Sequence, residues 1–255
     1  MVYTYGPHAE YFKLDSTDRW HGVCVKVPSA LAPDVASFTH MATIAFTSVR
    51  ASNIELGDFV LVTGLGTIGN FAAQLAQLQG ATVICTDVDD QRLEIAKNCG
   101  LLHVCNPTKV DLKAEIEKLA GEEGISTYID ASGATPVINA SLPLVKLYGE
   151  VILLGSPRAP YQANLTDTFQ KFHLLPHCLT MKGALEFSYP THQDEFNKHS
   201  IERNAKIVMQ LMVENKLKVK SLYSHKLNPA KAQEAYDGVR DKKNEFIGVV
   251  FDWTI

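Results

Sequence analysis

Residues 62–70 read VTGLGTIGN, and the spacing of their glycines decides the fold. Gly64, Gly66 and Gly69 follow the order G-x-G-x-x-G between a run typical of a buried strand (DFVLVTG) and a stretch with helical periodicity (IGNFAAQLAQLQG). In such a unit the first glycine permits a tight turn, the second lets backbone approach a pyrophosphate, and the third lets helix pack on strand. The turn alone could hold a dinucleotide or another nucleotide-like ligand, or be an ordinary loop.

An acidic residue at the end of the next strand favours a dinucleotide. Asp87 closes the run ATVICTD, 23 positions after Gly64, near the spacing of about 20 that this arrangement requires. Its carboxylate can accept hydrogen bonds from both ribose hydroxyls of an adenosine. Asp89 and Asp90 add negative charge, and Arg92 is the basic residue beside them, so NAD is predicted in preference to NADP. These acids could also cap the next helix, and that role is predicted for Asp90.

Strand-like and helix-like segments alternate after the glycine turn. The strand-like runs LHVCNP, STYIDASG and EVILLGSP are separated by the helix-like stretches DDQRLEIAKNCG, KAEIEKLAGEEG and PVINASLPLVKLYG. This alternation predicts an α/β fold with a doubly wound parallel sheet of the Rossmann type. Turns at the carboxyl ends of such strands line one crevice. The turns DASGA and LLGSP are therefore predicted to contact the ligand, although each could be a simple turn.

The two ends of the chain read differently from its middle. The segments HAEYFKLD and GVCVKVP predict short strands near the start. LTMKGALEF, the helix ERNAKIVMQLMVENKL and the closing pair AKAQEAYDGVRDKK and FIGVVFDW follow the alternating region. The predicted domains are a Rossmann domain over residues 39–179 and a small partial second lobe built from residues 1–38 and 180–255.

Composition excludes several classes of protein. The 24 basic and 28 acidic residues give a formal net charge of −4, with no basic cluster to bind nucleic acid. No apolar segment approaches membrane-spanning length, and the N-terminus lacks the pattern of a signal peptide. The five cysteines include no C-x-x-C pair, which indicates neither a disulfide framework nor a zinc ribbon. A cytoplasmic protein is expected.

Residues 26–100, followed by VCNP, YIDASGA, GEVILLGSP, LTMKGA and IGVVFDW, resemble the medium-chain dehydrogenase/reductase superfamily, and within it the zinc-type alcohol and polyol dehydrogenases. The resemblance implies hydride transfer between NAD(P) and a small alcohol or carbonyl substrate. It places Thr43 beside the nicotinamide, Ile68 under its ring and residues 154–156 at its carboxamide. The predicted cofactor-binding residues are Thr43, Gly64, Gly66, Thr67, Ile68, Gly69, Asp87, Arg92, Ala131, Ser132, Leu154, Gly155 and Ser156.

The zinc that the resemblance implies has no recognisable ligands in this sequence. The family's first zinc ligands, its proton-relay hydroxyl and its four-cysteine loop have no counterpart, so residues 1–38 are interpreted as the remnant of an N-terminal catalytic domain. A later ligand position falls on Thr39, and threonine is a poor zinc ligand at neutral pH. His40 is expected to be a pocket or core histidine, and a proline separates His173 from His177. No metal ligand and no catalytic residue is therefore predicted.

Two functions remain open at this point. The first is an NAD(H)-binding oxidoreductase of the alcohol or polyol dehydrogenase type, in a shortened form; the second is a non-catalytic NAD-binding or oligomerisation module. An oxidoreductase without these zinc ligands is either a shortened form of a longer dehydrogenase or a variant that works without the usual metal. Met1 stands at what resembles the middle of the family's chain, which favours the shortened form. A methyltransferase shares the glycine turn and the strand-end acid, whereas a short-chain reductase is disfavoured because no Tyr-x-x-x-Lys pair occurs.

The resemblance also implies self-association. In the family, dimers form by pairing the edges of two nucleotide-binding sheets, so a homo-oligomer, either a dimer or a tetramer, is expected. The apolar stretch FHLLPHCLTM, residues 172–181, is the candidate edge.

Overall fold

The computed structural model describes residues 1–255 except for the side chain of Glu123, and it divides into two compact units. The first, here called the sheet unit, comprises residues 45–184; the second, the two-segment unit, comprises residues 1–44 and 185–255. The Rossmann domain was predicted over residues 39–179, so the sheet unit begins six residues later and ends five residues later than predicted. Two elements account for the difference, since one strand (Thr180–Gly183) belongs to the central sheet and one helix (Thr39–Ala51) spans the boundary.

The regular elements follow one another along the described chain in this order. The strands are β1 (Val2–Thr4), β2 (Cys24–Lys26), β3 (Phe59–Thr63), β4 (Thr82–Thr86), β5 (His103–Cys105), β6 (Ile125–Asp130), β7 (Val145–Leu153), β8 (Thr180–Gly183), β9 (His225–Leu227) and β10 (Val249–Phe251). The helices are α1 (Pro33–Ala36), α2 (Thr39–Ala51), α3 (Thr67–Leu78), α4 (Asp90–Asn98), α5 (Leu112–Ala120), α6 (Thr135–Ser141), α7 (Leu165–His173), α8 (Ile201–Val213) and α9 (Ala232–Asp241).

The sheet unit is built on six parallel strands in the order β5-β4-β3-β6-β7-β8. The chain winds outward from β3 in both directions, which confirms the predicted Rossmann-type α/β fold. The inner strands bury most of their residues because both faces of a parallel sheet are covered. Leu61, Ile84, Tyr128 and Val151 are accordingly buried in one core cluster. Since all strands run the same way, the ends of β3, β4, β6 and β7 meet at one edge.

Asp89 caps α4, and the prediction that Asp90 does so was wrong. The Asp89 side chain accepts hydrogen bonds from the backbone N–H groups of Gln91 (2.8 Å) and Arg92 (3.3 Å), and its backbone is extended. Asp90 is already the first helical residue, where a side chain cannot reach those groups. Its carboxylate instead contacts the Lys109 ammonium group.

Two predicted elements differ from the structure. The helix expected over residues 136–149 ends at Ser141, because Pro143 has no N–H group to continue it and Val145 already pairs with Ile125 as the start of β7. The strand expected over residues 8–15 is absent from the described backbone. That segment alternates apolar and polar residues without burying a face, and Tyr11 is 85% exposed.

The two-segment unit holds two small sheets and two longer helices. β1 and β2 pair antiparallel, while β9 and β10 pair parallel, with Val250 opposite Lys226. Helix α8 buries Ala205, Val208 and Met209. No helix among the described residues is both long and apolar enough to cross a membrane.

Candidate cofactor site

The glycine turn lies between β3 and α3, and its glycines have distinct roles. Gly64 has a φ of +86°, and its N–H donates to the carbonyl of Thr86 (2.8 Å). A Cβ on Gly69 would lie 1.8 Å from the Gly64 carbonyl oxygen, so this position accepts no side chain. A Cβ on Gly66 would meet nothing within 4 Å. The turn is therefore closely packed at Gly69 and open at Gly66.

The open side of the turn is where α3 begins. Gly66 is the N-cap of α3 and Thr67 its first residue, followed by Ile68. No side chain caps this helix start. The first N–H groups of a helix lack partners within the helix and carry a partial positive charge, which makes such an end suited to phosphate. Thr67 and Ile68 thus lie at a helix end that can bind a pyrophosphate.

Asp87 directly follows β4 and is only 6% exposed. Its Oδ2 accepts from the N–H of Leu65 (2.7 Å) and its Oδ1 from the N–H of Asp89 (3.0 Å). An Arg92 Nη1 atom lies 3.5 Å from Oδ2. A carboxylate offers about four lone-pair positions, so these backbone contacts leave it capacity to accept ribose hydroxyls. The residue predicted to bind ribose therefore also ties the glycine turn to the loop before α4.

Asp130, at the end of β6, organises the crevice in a way that the sequence reasoning missed. Its side chain is fully buried and accepts from the Ser132 hydroxyl (2.6 Å), the Gly133 N–H (3.0 Å) and the Thr63 hydroxyl (3.1 Å). Its carbonyl oxygen accepts from the N–H groups of Leu154 (2.9 Å) and Gly155 (2.7 Å). A second acid at a strand end, in YIDASG, was the available signal. Asp130 holds both predicted turns in place.

The two turns contact each other and the glycine turn. A Cβ on Gly133 would lie 2.5 Å from the Ser156 carbonyl oxygen, and one on Gly155 would lie 2.4 Å from the Gly133 nitrogen. The Ala131 N–H donates to the Thr63 carbonyl (2.9 Å). The structure thus brings twelve of the predicted residues into the sheet unit, at one edge of the sheet. These are Gly64, Gly66, Thr67, Ile68, Gly69, Asp87, Arg92, Ala131, Ser132, Leu154, Gly155 and Ser156.

Thr43, the remaining predicted residue, belongs to the two-segment unit and lies on α2. Its hydroxyl donates to the carbonyl of His40 (2.9 Å), one turn earlier. Thr39, at the family's zinc-ligand position, is fully buried and donates to the carbonyl of Ala36 (2.7 Å). Across the described part of the chain, no three His, Cys, Asp or Glu side chains are placed to hold a metal ion. The residues present therefore do not fit a zinc centre.

His40 faces a buried carboxylate that no sequence pattern indicated. Its Nδ1 lies 3.7 Å from Oε2 of Glu186 and 3.5 Å from the hydroxyl oxygen of Tyr3. The ring of Tyr5 packs edge-on against it, with 4.5 Å between ring centroids. Burial lowers the pKa of His40, and the nearby Glu186 carboxylate opposes that shift. The histidine that sequence reasoning placed in a pocket or core thus lies in a polar cluster.

Comparison with known proteins gives matches over most of the chain. The family model described as zinc-binding dehydrogenase matches residues 67–203. A zinc-type alcohol dehydrogenase-like protein of Haemophilus influenzae is 31% identical over 163 residues, which are 63% of this chain and 47% of that protein. The D-guloside 3-dehydrogenase of Shigella flexneri is 33% identical over 139 residues, or 54% of this chain and 39% of that one. The chain spans less than half the length of these two relatives.

Solved structures share the fold. A short chain alcohol dehydrogenase of E. coli CFT073, in complex with NADH, superposes with a TM-score of 0.73 at 19% identity, covering 90% of this chain and 62% of its own. A protein of Sinorhizobium meliloti 1021 bound to NADP gives a TM-score of 0.65 at 22% identity, covering 83% of this chain and 58% of its own. Structural neighbours therefore include both an NADH complex and an NADP complex.

Proposed function

The chain belongs to the zinc-binding dehydrogenase family, and from that premise we propose that it is an NAD(H)-binding oxidoreductase acting on an alcohol or polyol. The observation that carries the proposal is the crevice at the sheet edge, where the glycine turn, Asp87 and the two turns on Asp130 meet. Bound NAD would supply a nicotinamide ring that accepts or releases a hydride. The relative that acts on D-guloside supports a polyol as the substrate class.

Each part of the proposed cofactor has a matching group in the sheet unit. The open space at Gly66 and the start of α3 suit the pyrophosphate. Asp87 suits the adenosine ribose, because its carboxylate is held in place by the backbone N–H groups of Leu65 and Asp89. Residues 154–156 and the turn at Ser132 suit the nicotinamide end. The first two assignments follow from acceptor and donor chemistry, and the third is what the family resemblance implies.

We further propose that NAD is preferred over NADP. A ribose 2′-phosphate beside Asp87 would bring two negative groups together at a site with little exposure. Arg92 could neutralise a phosphate, but its guanidinium already forms an ion pair with Asp87, with Nη1 3.5 Å from the carboxylate. The arrangement supports a ribose with a free 2′-hydroxyl.

The variant Asp87→Asn tests this proposal. Asparagine offers one acceptor oxygen in place of two, so we expect the Kd for NADH to rise at least tenfold, since a hydrogen bond to a charged group contributes about 1.5–3 kcal/mol. The discrimination against NADPH should shrink at the same time. Calorimetric titration with both cofactors measures the two effects.

Asp89→Asn is the matched control for Asp87→Asn. It removes the same charge two residues away, while asparagine caps a helix as well as aspartate does. Its Kd for NADH should stay within about twofold of the wild-type value, and thermal melting should show both variants folded. Equal affinities in the two variants would contradict the role of Asp87.

A non-catalytic NAD-binding or oligomerisation module is the second candidate. It is favoured by Thr39, which stands where the family places a zinc ligand and whose buried hydroxyl donates to the carbonyl of Ala36 at the end of α1. NADH production from a panel of alcohols and polyols, with and without added zinc, separates the two candidates. Tight NADH binding without turnover on any substrate would favour the module.

We propose that the chain forms a homodimer through the exposed edge of β8. β8 is an edge strand of the sheet; Met181 within it is 41% exposed, and Leu175 in the segment before it is 70% exposed. An open strand edge with apolar neighbours is a template for pairing with a second copy.

Light scattering tests the proposed dimer and should give twice the chain mass. Met181→Lys should shift it toward the monomer, and Leu102→Lys, beside the opposite edge strand β5, should not. A monomeric wild-type chain would overturn the proposal.

A further inference from the structure

The two-segment unit holds a compact polar group, here called the Tyr-His-Glu cluster, formed by Tyr3, Tyr5, His40 and Glu186. Tyr3 lies in β1, Tyr5 directly follows that strand, His40 lies on α2, and Glu186 begins the short turn Glu186–Ser188. The Tyr3 and Tyr5 rings pack edge-to-face, with 5.9 Å between centroids, and Tyr5 packs in turn on His40. Three segments that are distant in sequence therefore converge on one buried carboxylate.

Two polar atoms of the cluster are buried without a hydrogen bond of regular geometry among the described residues, although the Tyr5 hydroxyl lies close enough to the Tyr3 and Glu186 side chains to interact with both. They are Oε1 of Glu186, whose side chain is 5% exposed, and the hydroxyl oxygen of Tyr5. A buried carboxylate oxygen or hydroxyl left unpaired is destabilising, and such atoms in native proteins call for a ligand or an ordered water. The other oxygen of Glu186 is the one that faces His40. One oxygen of the carboxylate thus lies toward His40, and the other lies without a regular hydrogen bond.

The protonation of the cluster defines which ligand it can take. Burial raises the pKa of Tyr5, and the neighbouring Tyr3 and the Glu186 carboxylate raise it further, so its hydroxyl remains a donor. Burial also raises the pKa of Tyr3. Burial lowers the pKa of His40, which favours the neutral imidazole. The cluster therefore presents the Tyr5 hydroxyl as a donor beside the Glu186 side chain.

We propose that the Tyr-His-Glu cluster binds a hydroxyl group of the alcohol or polyol substrate. A hydroxyl group is both a donor and an acceptor, so it can donate to Oε1 of Glu186 and accept from the Tyr5 hydroxyl. A carboxylate or phosphate ligand would be repelled by Glu186, and a metal ion would lack a third ligand in the described residues. His40 lies beside the carboxylate and packs against the Tyr5 ring. This inference rests on the proposed function and adds the residues that recognise the substrate.

Ring signals of Tyr5 and His40 in the full chain provide the test. Glycerol, 1,2-propanediol and sorbitol are titrated without cofactor while the aromatic 13C–1H resonances are followed by NMR. We expect at least one polyol to shift these resonances saturably. Glu186→Gln should weaken its binding about tenfold, because a charged hydrogen bond is replaced by a neutral one. Tyr5→Phe should weaken it about fivefold.

Glu202→Gln is the matched control within the same unit. Glu202 also faces a histidine, with Oε2 3.3 Å from Nδ1 of His192, but its Oε1 accepts from the Cys24 N–H (3.1 Å) and is not available. Polyol binding by this variant should match the wild type. Absence of any saturable shift, or equal affinity in the Glu186→Gln and wild-type proteins, would overturn the inference. NADH titration of the same samples shows whether the cofactor proposal fails with it or stands alone.

Discussion

Gly69→Ala is expected to destabilise the sheet unit by about 3 kcal/mol or more, whereas Gly66→Ala, three residues earlier, is expected to leave its stability unchanged. The added methyl carbon at Gly69 would lie 1.8 Å from the Gly64 carbonyl oxygen and 2.9 Å from the side chain of Ala131. The first of these neighbours is backbone and cannot rotate away. Helix α3 would have to shift off the end of β3, which breaks the packing of Phe71 and Leu75 in the core.

The opposite result is expected at Gly66, because this position has room for a side chain. Its φ of −60° and ψ of 178° suit any residue, and a Cβ there meets nothing within 4 Å. Replacing glycine by alanine at a compatible position stabilises slightly if it changes stability at all. The methyl group would instead occupy the space proposed for the pyrophosphate. We therefore expect the Kd for NADH to rise at least tenfold in a variant that melts like the wild type.

Urea unfolding followed by circular dichroism, together with calorimetric titration of NADH, measures both variants. Loss of stability in Gly69→Ala and loss of affinity alone in Gly66→Ala would separate the packing role of one glycine from the ligand-facing role of the other. If Gly69→Ala unfolds at the wild-type urea concentration, the close approach of α3 to the turn is wrong. If Gly66→Ala binds NADH normally, the proposed position of the pyrophosphate is wrong.

The sheet was predictable from sequence because its determinants are local. The central strand β3 is a short apolar run, and the doubly wound order follows from alternating strands and helices. The prediction of a strand over residues 8–15 was wrong, because the alternating apolar side chains of that segment are not buried on one face. Prediction failed also where one residue overrides a pattern, as Pro143 does by preventing a helix from continuing into β7.

The site was predictable only in part because some of its contacts join distant residues. The glycine spacing and Asp87 form a short-range pattern and could be read directly. The contacts of Asp130 with Thr63, 67 positions earlier, depend on strand order and cannot be read from YIDASG alone. The approach of Glu186 to His40 likewise joins a C-terminal turn to α2. The roles of such polar residues depend on which distant segments pack together, and hydrophobic periodicity does not reveal that.

Asp130→Ala is expected to destabilise the sheet unit by about 3–5 kcal/mol, well beyond the average effect of a single substitution. Its buried carboxylate accepts from the Thr63 and Ser132 hydroxyls and from the N–H groups of Ser132 and Gly133. Alanine would leave these donors without their acceptor, and each donor left buried and unpaired costs about 1–3 kcal/mol, offset where water can enter. Chemical denaturation measures the free energy of unfolding.

Asp111→Ala is the matched control for Asp130→Ala, because Asp111 also accepts two backbone N–H groups but does so as the exposed N-cap of α5. Losing that cap should cost about 1 kcal/mol. Asp130→Ala should also weaken NADH binding under conditions where it remains folded, since the turns at Ser132 and Gly155 lose their common anchor, whereas Asp111→Ala should bind NADH normally. Equal stability losses in the two variants would mean that Asp130 contributes no more than a surface cap, and the crevice would then owe its shape to the glycine contacts alone.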